Sequence, residues 1–209
     1  MTGLVVTPYY HETDAVVERC ILSVATQTVK VAHVLVADGF PRIQFDNREA
    51  LGLHHIRNLQ HYHDWGNVPR TIAMLANKGA PFIAFLDADC TYDADHIEIC
   101  RATAAQADGC DYVATQERFL RPTKDGGTVV SSAKAEPQEQ HVDTNCFFLF
   151  PQCYDVAIEA LTNRPDPYRG DRHLYSRLKA AGLRAAFTNR QTVTYMLSSV
   201  SAEIRHPLP

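Results

Sequence analysis

Asp87 and Asp89 stand one residue apart at the end of Phe82-Ile83-Ala84-Phe85-Leu86, an apolar run the length of a buried strand. In open α/β sheets ligands sit beyond the carboxyl ends of the strands, so such a strand delivers both carboxylates to a site. Two like charges that close are costly unless a proton or a cation neutralises one, and hard oxygen donors suit Mg2+ or Mn2+. Alternatively, Asp89 is a turn residue, with Cys90, Thr91 and Asp93 opening a helix behind it. Arg70 follows Pro69 near a helix start, where a guanidinium either forks onto an anion such as a phosphate or stays solvated. Asp38 closes another apolar strand and offers hydrogen-bond acceptors. In the first loop Tyr10 presents a ring that can stack on a planar group, unless Tyr9 takes that role and Tyr10 is a core or surface residue.

The histidines are weaker candidates. His61-Tyr62-His63-Asp64 has part of a binuclear zinc spacing, but Trp65 stands where an acid is needed and no glycine-rich turn leads in. His54, His55 and His61 therefore read as loop or strand-edge residues, and His96 as pointing along a helix away from the acids.

The elements that must position these side chains alternate in type. Residues 4–7 read as a strand, 8–13 as a loop, and Val16, Val17, Cys20, Ile21, Val24 and Ala25 recur with helical spacing. A strand over 31–37 completes a βαβ unit, whose crossover should be right-handed. A strand at 53–56, a helix at 68–77 and the strand at 82–86 repeat the pattern, followed by a helix over 93–107 and a strand at 112–115. Residues 121–140 carry two prolines, paired glycines and many small polar residues, with only Val129-Val130 strand-like, which predicts a mobile loop or hairpin. A strand at 146–150, helices at 154–161 and 172–181, and strands at 185–188 and 192–197 close the chain. The sum is an α/β domain with one mainly parallel sheet, helices on both faces and a less regular second half.

Composition narrows the class. A chain of 209 residues with 45% hydrophobic content can bury a full core as one domain. Twenty Lys and Arg against 24 Asp and Glu give a net charge of -4 with no basic run, so nucleic acid is not an expected partner. The six cysteines form no C-x-x-C pair and several fall in apolar periodic segments, as buried thiols in a reducing cytoplasm do. Strand-like Leu4-Val5-Val6 begins too soon for a secretory signal, and no apolar run reaches membrane-spanning length. The expected location is cytoplasmic, with peripheral attachment to the inner face of a membrane left open.

Local patterns in a fixed order then become a family. Val5-Val6-Thr7-Pro8-Tyr9-Tyr10-His11-Glu12, Cys20-Ile21-Leu22-Ser23-Val24 running to Gln27-Thr28, the strand into Asp38-Gly39, Asp64-Trp65-Gly66-Asn67-Val68-Pro69-Arg70 and Asp87-Ala88-Asp89 follow one another. In this order the chain resembles the inverting nucleotide-sugar glycosyltransferases of family two, with the GT-A fold, from residue 4 to about residue 96. The resemblance implies a single GT-A-like, Rossmann-related domain in which 1–116 bind a UDP-, GDP- or dTDP-linked sugar and 117–209 face a glycan or other hydroxyl acceptor. It assigns Pro8, Tyr10, Glu12, Asp38, Arg70 and Asp87 to the donor, and Asp89 with Asp87 to Mg2+ or Mn2+. Segment 121–140 becomes a lid that orders over the donor and excludes water. The general base is implied at Asp171, similar to the family's acid at the start of a late helix, although Gly170 stands where that family usually has Glu. An aspartate opening a helix can also be its cap. Asp143 is the second candidate base, or a ligand for acceptor hydroxyls, and a second subunit is a further partner left open.

The same residues permit other functions. Phe85-Leu86-Asp87-Ala88-Asp89-Cys90-Thr91 also satisfies the nucleophile motif of haloacid-dehalogenase-like phosphatases, with Asp87 as nucleophile and Asp89 as acid/base. That motif normally follows the first core strand, whereas here strand-helix units precede it, and no paired acids for magnesium follow. A nucleotidyltransferase would want a glycine-rich phosphate loop, which Pro8-Tyr9-Tyr10-His11-Glu12 does not provide. A non-catalytic nucleotide-sugar-binding domain is the remaining alternative.

Overall fold

Leu4–Tyr9, six residues with every side chain buried, is the central strand β1 of the first half of the sheet. The computed structural model describes residues 2–122, 128–131, 141–163, 166 and 169–196. Strand β1 continues through Pro8, two residues past the expected end, in parallel register with β2 (Ala32–Ala37) up to Tyr9 opposite Ala37. A proline is tolerated there for a geometric reason. The Leu4 amide donates to Phe82 and the Leu86 amide to Val6, so even-numbered positions of β1 face β4 (Ile83–Phe85). Pairing of β1 with β4 stops at Val6 opposite Phe85, so at Pro8 no strand is waiting for the missing N–H.

Helix α1 (Asp14–Ala25) buries Val17, Cys20, Ile21 and Val24, one stripe of a 3.6-residue period. Strand β3 (Leu53–Ile56) pairs parallel with β2, and helix α2 (Asn67–Ala76) crosses back to β4. The order β3-β2-β1-β4 is thus a parallel half-sheet, as its patterning predicts. Beyond β4 the sheet becomes mixed. Strand β5 (Cys90–Tyr92), helix α3 (His96–Gln106), strands β6 (Tyr112–Pro122), β7 (Thr128–Ser131) and β8 (Phe147–Leu149), helices α4 (Tyr154–Thr162) and α5 (Gly170–Ala180), and strand β9 (Ala185–Met196) complete it. Strand β8 lies antiparallel between β4 and β6, β9 runs parallel to β6, and β5 and β7 pair antiparallel with β9 and β6.

Beyond the longer β1, sequence and structure differ chiefly at three places, and a fourth expectation is met in part. The two expected final strands are one, β9, interrupted by a register shift against β6 near Gln116 and by Asn189 at φ 53°. Strand β5 stands where a helix start was an alternative, because Cys90 to Tyr92 pair with Tyr195 to Val193. Helix α3 starts at His96 instead of residue 93, since the Asp93 amide donates to Thr192 O and its carboxylate holds Arg118. Of the expected loop or hairpin at 121–140, the pairing of Phe119–Pro122 with Thr128–Ser131 is a hairpin, while 123–127 and 132–140, and with them most of the proposed lid, lie outside the described residues.

The β4–β8 seam is fully buried. Phe82 stacks on Phe148 at 4.2 Å, Phe148 meets the edge of Phe150 at 5.5 Å, and α2 packs on α4, which packs on α5. Among the described residues no helix is long and apolar enough to cross a membrane. Phe148→Ala removes a fully buried ring from this seam, and a loss of about 3–5 kcal/mol is expected in urea unfolding.

Candidate active site

Strand pairing ends with the Leu86 amide on Val6, and at Asp87 the chain leaves the sheet with side chains in place of a neighbouring strand. The Asp87 amide donates to Asn145 Oδ1, Asp87 Oδ1 accepts from Arg70 Nη2, and Oδ2 accepts from Asn145 Nδ2 at 3.2 Å. Asn145, just before β8, also donates its amide and its Nδ2 to Asp143 Oδ1 at 2.9 and 2.8 Å. Both carboxylates are therefore oriented by one buried amide. Burial and the charge of Asp87 push the Asp143 carboxyl above its usual range, against the two bonds from Asn145. Asn145 carries no sequence signal beyond a turn-forming residue before an apolar run, and so only Asp143 of this segment was legible.

Arg70 is not the exposed fork that the sequence suggests. Its side chain is 4% exposed, with Nη2 on Asp87 and Nη1 on Trp65 O at 2.9 Å, while Nε has no hydrogen bond. The segment leading into it is sharply turned: His63, Trp65 and Gly66 all have positive φ, and the Val68 amide donates to Asp64 Oδ2 at 2.7 Å. A Cβ on Gly66, at φ 77°, would lie 2.7 Å from Pro8 Cγ. Pro8 is thereby the platform on which this turn rests.

Asp89 is partly exposed beyond β4, its carbonyl accepting from Arg19 Nη2 at 3.1 Å and its Oδ1 from Cys90 Sγ at 3.6 Å. Asp87 is anchored from below by Cys20, whose thiol donates to the Asp87 carbonyl and is pushed up to about 12 by burial. Among the described residues no group of three or more His, Cys, Asp or Glu side chains could hold a metal alone. Asp89 with Asp87 is instead a donor set of hard oxygens suited to a Mg2+ or Mn2+ shared with phosphate oxygens, since Mg2+ commonly takes only one or two protein carboxylates.

At the ends of β1 and β2 the period of two separates the adjacent tyrosines. Tyr9 points into the core, its hydroxyl bonded to His55 Nε2 and to the Arg42 amide, each at 2.9 Å. Tyr10 faces the other way and stacks on His61 at 3.9 Å, with Phe40 at 5.3 Å. Asp38 is buried beneath that pair, its Oδ1 accepting the Tyr62 amide at 3.0 Å and its Oδ2 lying 3.1 Å from His61 Nδ1. Glu12 accepts the Tyr10 amide at 2.7 Å, so its carboxylate braces the loop. Arg42, missed in the sequence, clips the same loop through Asp14 Oδ1 at 2.7 Å and the carbonyls of Tyr10 and Glu12.

Asp171 sits in the first turn of α5, where its side chain takes up one of the amides of the helix start. Its Oδ2 accepts from His141 Nε2 and its Oδ1 from the Arg172 amide at 2.7 Å. Burial pushes the Asp171 carboxyl up, but the bond and charge of His141, with Arg172, outweigh it and leave the group below its usual range. The same bond raises His141 above the ordinary imidazole value, against its partial burial. Gly170 has a steric explanation: a Cβ there would lie 2.7 Å from Asn67 Oδ1 at the start of α2.

A family model described as Glycosyl transferase family 2 matches residues 4–128. No curated protein matches the chain. Among solved structures, S. aureus TarS is similar at 13% identity and TM-score 0.68, over 98% of this chain and 38% of that one. S. aureus TarS 1–349 is similar at 14% identity and TM-score 0.69, over 94% and 60%. The same TarS fragment in complex with UDP-GlcNAc gives 13%, 0.70, 95% and 59%. Such low identity shows a shared fold, and the chain spans less than two thirds of these proteins.

The His141–Asp171 bond predicts a pH signature. The raised His141 contributes stability that is full below its unfolded value of 6.5 and is lost as pH rises through its folded value. The lowered Asp171 contributes stability present above 3.8 and lost as pH falls through its folded value. The urea midpoint of the wild type should therefore exceed that of Asp171→Asn most at about pH 5, with the gap narrowing on both sides.

Proposed function

The chain belongs to glycosyl transferase family 2, and from that premise we propose that it transfers a sugar from a nucleoside-diphosphate sugar to an acceptor hydroxyl, with inversion in a single in-line displacement. The observation that carries this is the pair Asp87 and Asp89 beyond the carboxyl end of β4, with Asp87 fixed by Arg70 and Asn145. Asp89, with Asp87, would hold Mg2+ or Mn2+ together with the donor. When bound, the cation supplies Lewis-acid neutralisation of the charge that develops on the diphosphate.

The chain's own residues divide the remaining work. Arg70 keeps Asp87 aimed, and so acts on the donor through that carboxylate. Tyr10, resting on His61, offers the nucleobase a stacking face, while Asp38 holds His61 and the Tyr62 amide beneath it. Pro8 and Glu12 shape the donor loop from below and behind. Asp171 and its partner His141 form the acceptor-side group that activates the hydroxyl, with Asp143 secondary because Asn145 already occupies one of its oxygens twice. Residues 1–116 form the donor-binding half and 117–209 the acceptor half. A UDP-linked donor is favoured because the similar TarS structure contains UDP-GlcNAc, with GDP and dTDP sugars as the other candidates. Nucleotide sugars and the buried free thiols suit a cytoplasmic setting.

The phosphatase alternative is disfavoured by chain order. Its nucleophile normally follows the first core strand, whereas Asp87 follows β4 after two helices and three other strands.

Thermal shift with UDP, GDP and dTDP, each with and without Mn2+, tests the proposal. A rise that needs both nucleotide and Mn2+ is expected for one nucleotide, by mass action on the native state. Asp89→Ala should abolish the Mn2+-dependent part and lower kcat/KM by about 10²-fold or more. Nucleotide shifts indifferent to Mn2+ and to Asp89→Ala would refute the metal assignment.

A further inference from the structure

We infer that Arg19 is a positioning residue for Asp89 and thereby sets the affinity of the divalent cation; this rests on the metal-dependent glycosyl transfer proposed above. Arg70 and Asn145 secure Asp87, but Asp89 lies further on, in the tight turn that the Cys90 amide closes on the Asp87 carbonyl at 2.9 Å. A cation held by so few carboxylates is sensitive to where each of them points. The hold on Asp89 comes from α1, where Arg19 Nη2 donates to its carbonyl at 3.1 Å. Fixing that carbonyl fixes the peptide, and with it the direction in which the Asp89 side chain leaves the turn.

Arg19 opens a polar stripe on that helix. Arg19, Cys20 and Ser23 fall within an arc of about 100° beside the apolar stripe of α1, and Gln27 continues their line just past the helix end. Cys20 Sγ donates to the Asp87 carbonyl at 3.6 Å, and Ser23 Oγ accepts the Tyr92 amide at 3.2 Å. The Gln27 side chain donates to the Asp93 carbonyl at 2.7 Å and accepts the Ile97 amide at 3.1 Å. Backbone groups from Asp87 to Ile97 thus rest on one helix face, which serves as a mould for the turn that carries the acids. Arg19 alone in the stripe brings a charge, and its Nε is buried without a hydrogen bond. Its two effects on a bound cation have opposite sign, because placing Asp89 tightens binding while a nearby guanidinium repels the cation. Placement is the larger effect. Loss of a partner that orients a metal ligand commonly costs about 10- to 100-fold in metal affinity, whereas Arg19 is partly exposed and its charge is screened by solvent.

Titration of Mn2+ into the protein with UDP, GDP or dTDP, followed by loss of the paramagnetic resonance signal of the hydrated ion, reads this without turnover. Arg19→Met keeps the aliphatic stem without a donor, and is expected to raise the Kd for Mn2+ by about 10- to 100-fold with the nucleotide that supports binding. Arg19→Lys retains a donor and is expected to recover most of that loss. Arg48→Met is the control. Arg48 pairs with Glu18, the neighbour of Arg19 on α1, and its loss is expected to leave Mn2+ binding unchanged. Should Arg19→Met not fold, Arg19→Gln, whose amide falls short of the Asp89 carbonyl, decides on the same terms. Mn2+ binding by Arg19→Met at or above the wild-type affinity would overturn the inference and reduce Arg19 to a charge beside the site. Equal weakening in Arg48→Met would overturn it as well, because α1 as a whole would then be at fault. Either result leaves the metal assignment standing. If the wild type binds no Mn2+ with any of the three nucleotides, the metal assignment of the proposed function falls and takes this inference with it.

Discussion

A buried guanidinium must have a carboxylate, and the ion pair between Arg70 and Asp87 is the constraint on which the site depends. An isolated charge taken out of water costs several kcal/mol, so Arg70 at 4% exposure is tolerable only while Asp87 meets it. Asp87 lies at the boundary between the parallel half of the sheet and the mixed half. Arg70 reaches it from α2 on one side and Asn145 from the approach to β8 on the other. Three segments far apart in sequence are thus fixed to one another at the carboxyl end of β4, and Asp89 inherits a defined position from that joint.

The two halves then contribute unlike things. The parallel half ends in loops that offer rings and backbone groups: Tyr10 on His61, with Asp38 beneath and Arg42 clipping the loop from behind. The mixed half contributes titratable groups at short range, namely Asp143, His141 and Asp171, each hydrogen-bonded to a neighbouring side chain. Flat stacking surfaces suit a nucleoside, and proton-exchanging groups suit a hydroxyl. The change from parallel to antiparallel pairing at β4 and β8 is what allows both sets to open on the same side.

Legibility in the sequence follows the distance over which a residue's role is decided. The order of β1, α1, β2, β3, α2 and β4 was readable because hydrophobic period and turn residues act locally, and Asp87-Ala88-Asp89 was readable because it ends such a run. Strand β5 was missed because three residues have no period of their own and the partner, β9, lies a hundred positions on. Asn145, Arg42 and His141 share that fate, since each matters through a contact with a remote residue and none breaks a local pattern. The choice between Tyr9 and Tyr10 was open only while β1 was taken to stop at Thr7. Once the strand runs through Pro8, alternation puts Tyr9 inside and Tyr10 outside.

Gly170 and Asn67 meet where the first turns of α5 and α2 approach, a Cβ at 170 lying 2.7 Å from Asn67 Oδ1. A larger residue at 170 is accommodated only if the Asn67 side chain swings away and gives up its bond to the Asp64 carbonyl. The size of the residue that opens α5 is therefore felt in the sharply turned segment that leads into α2.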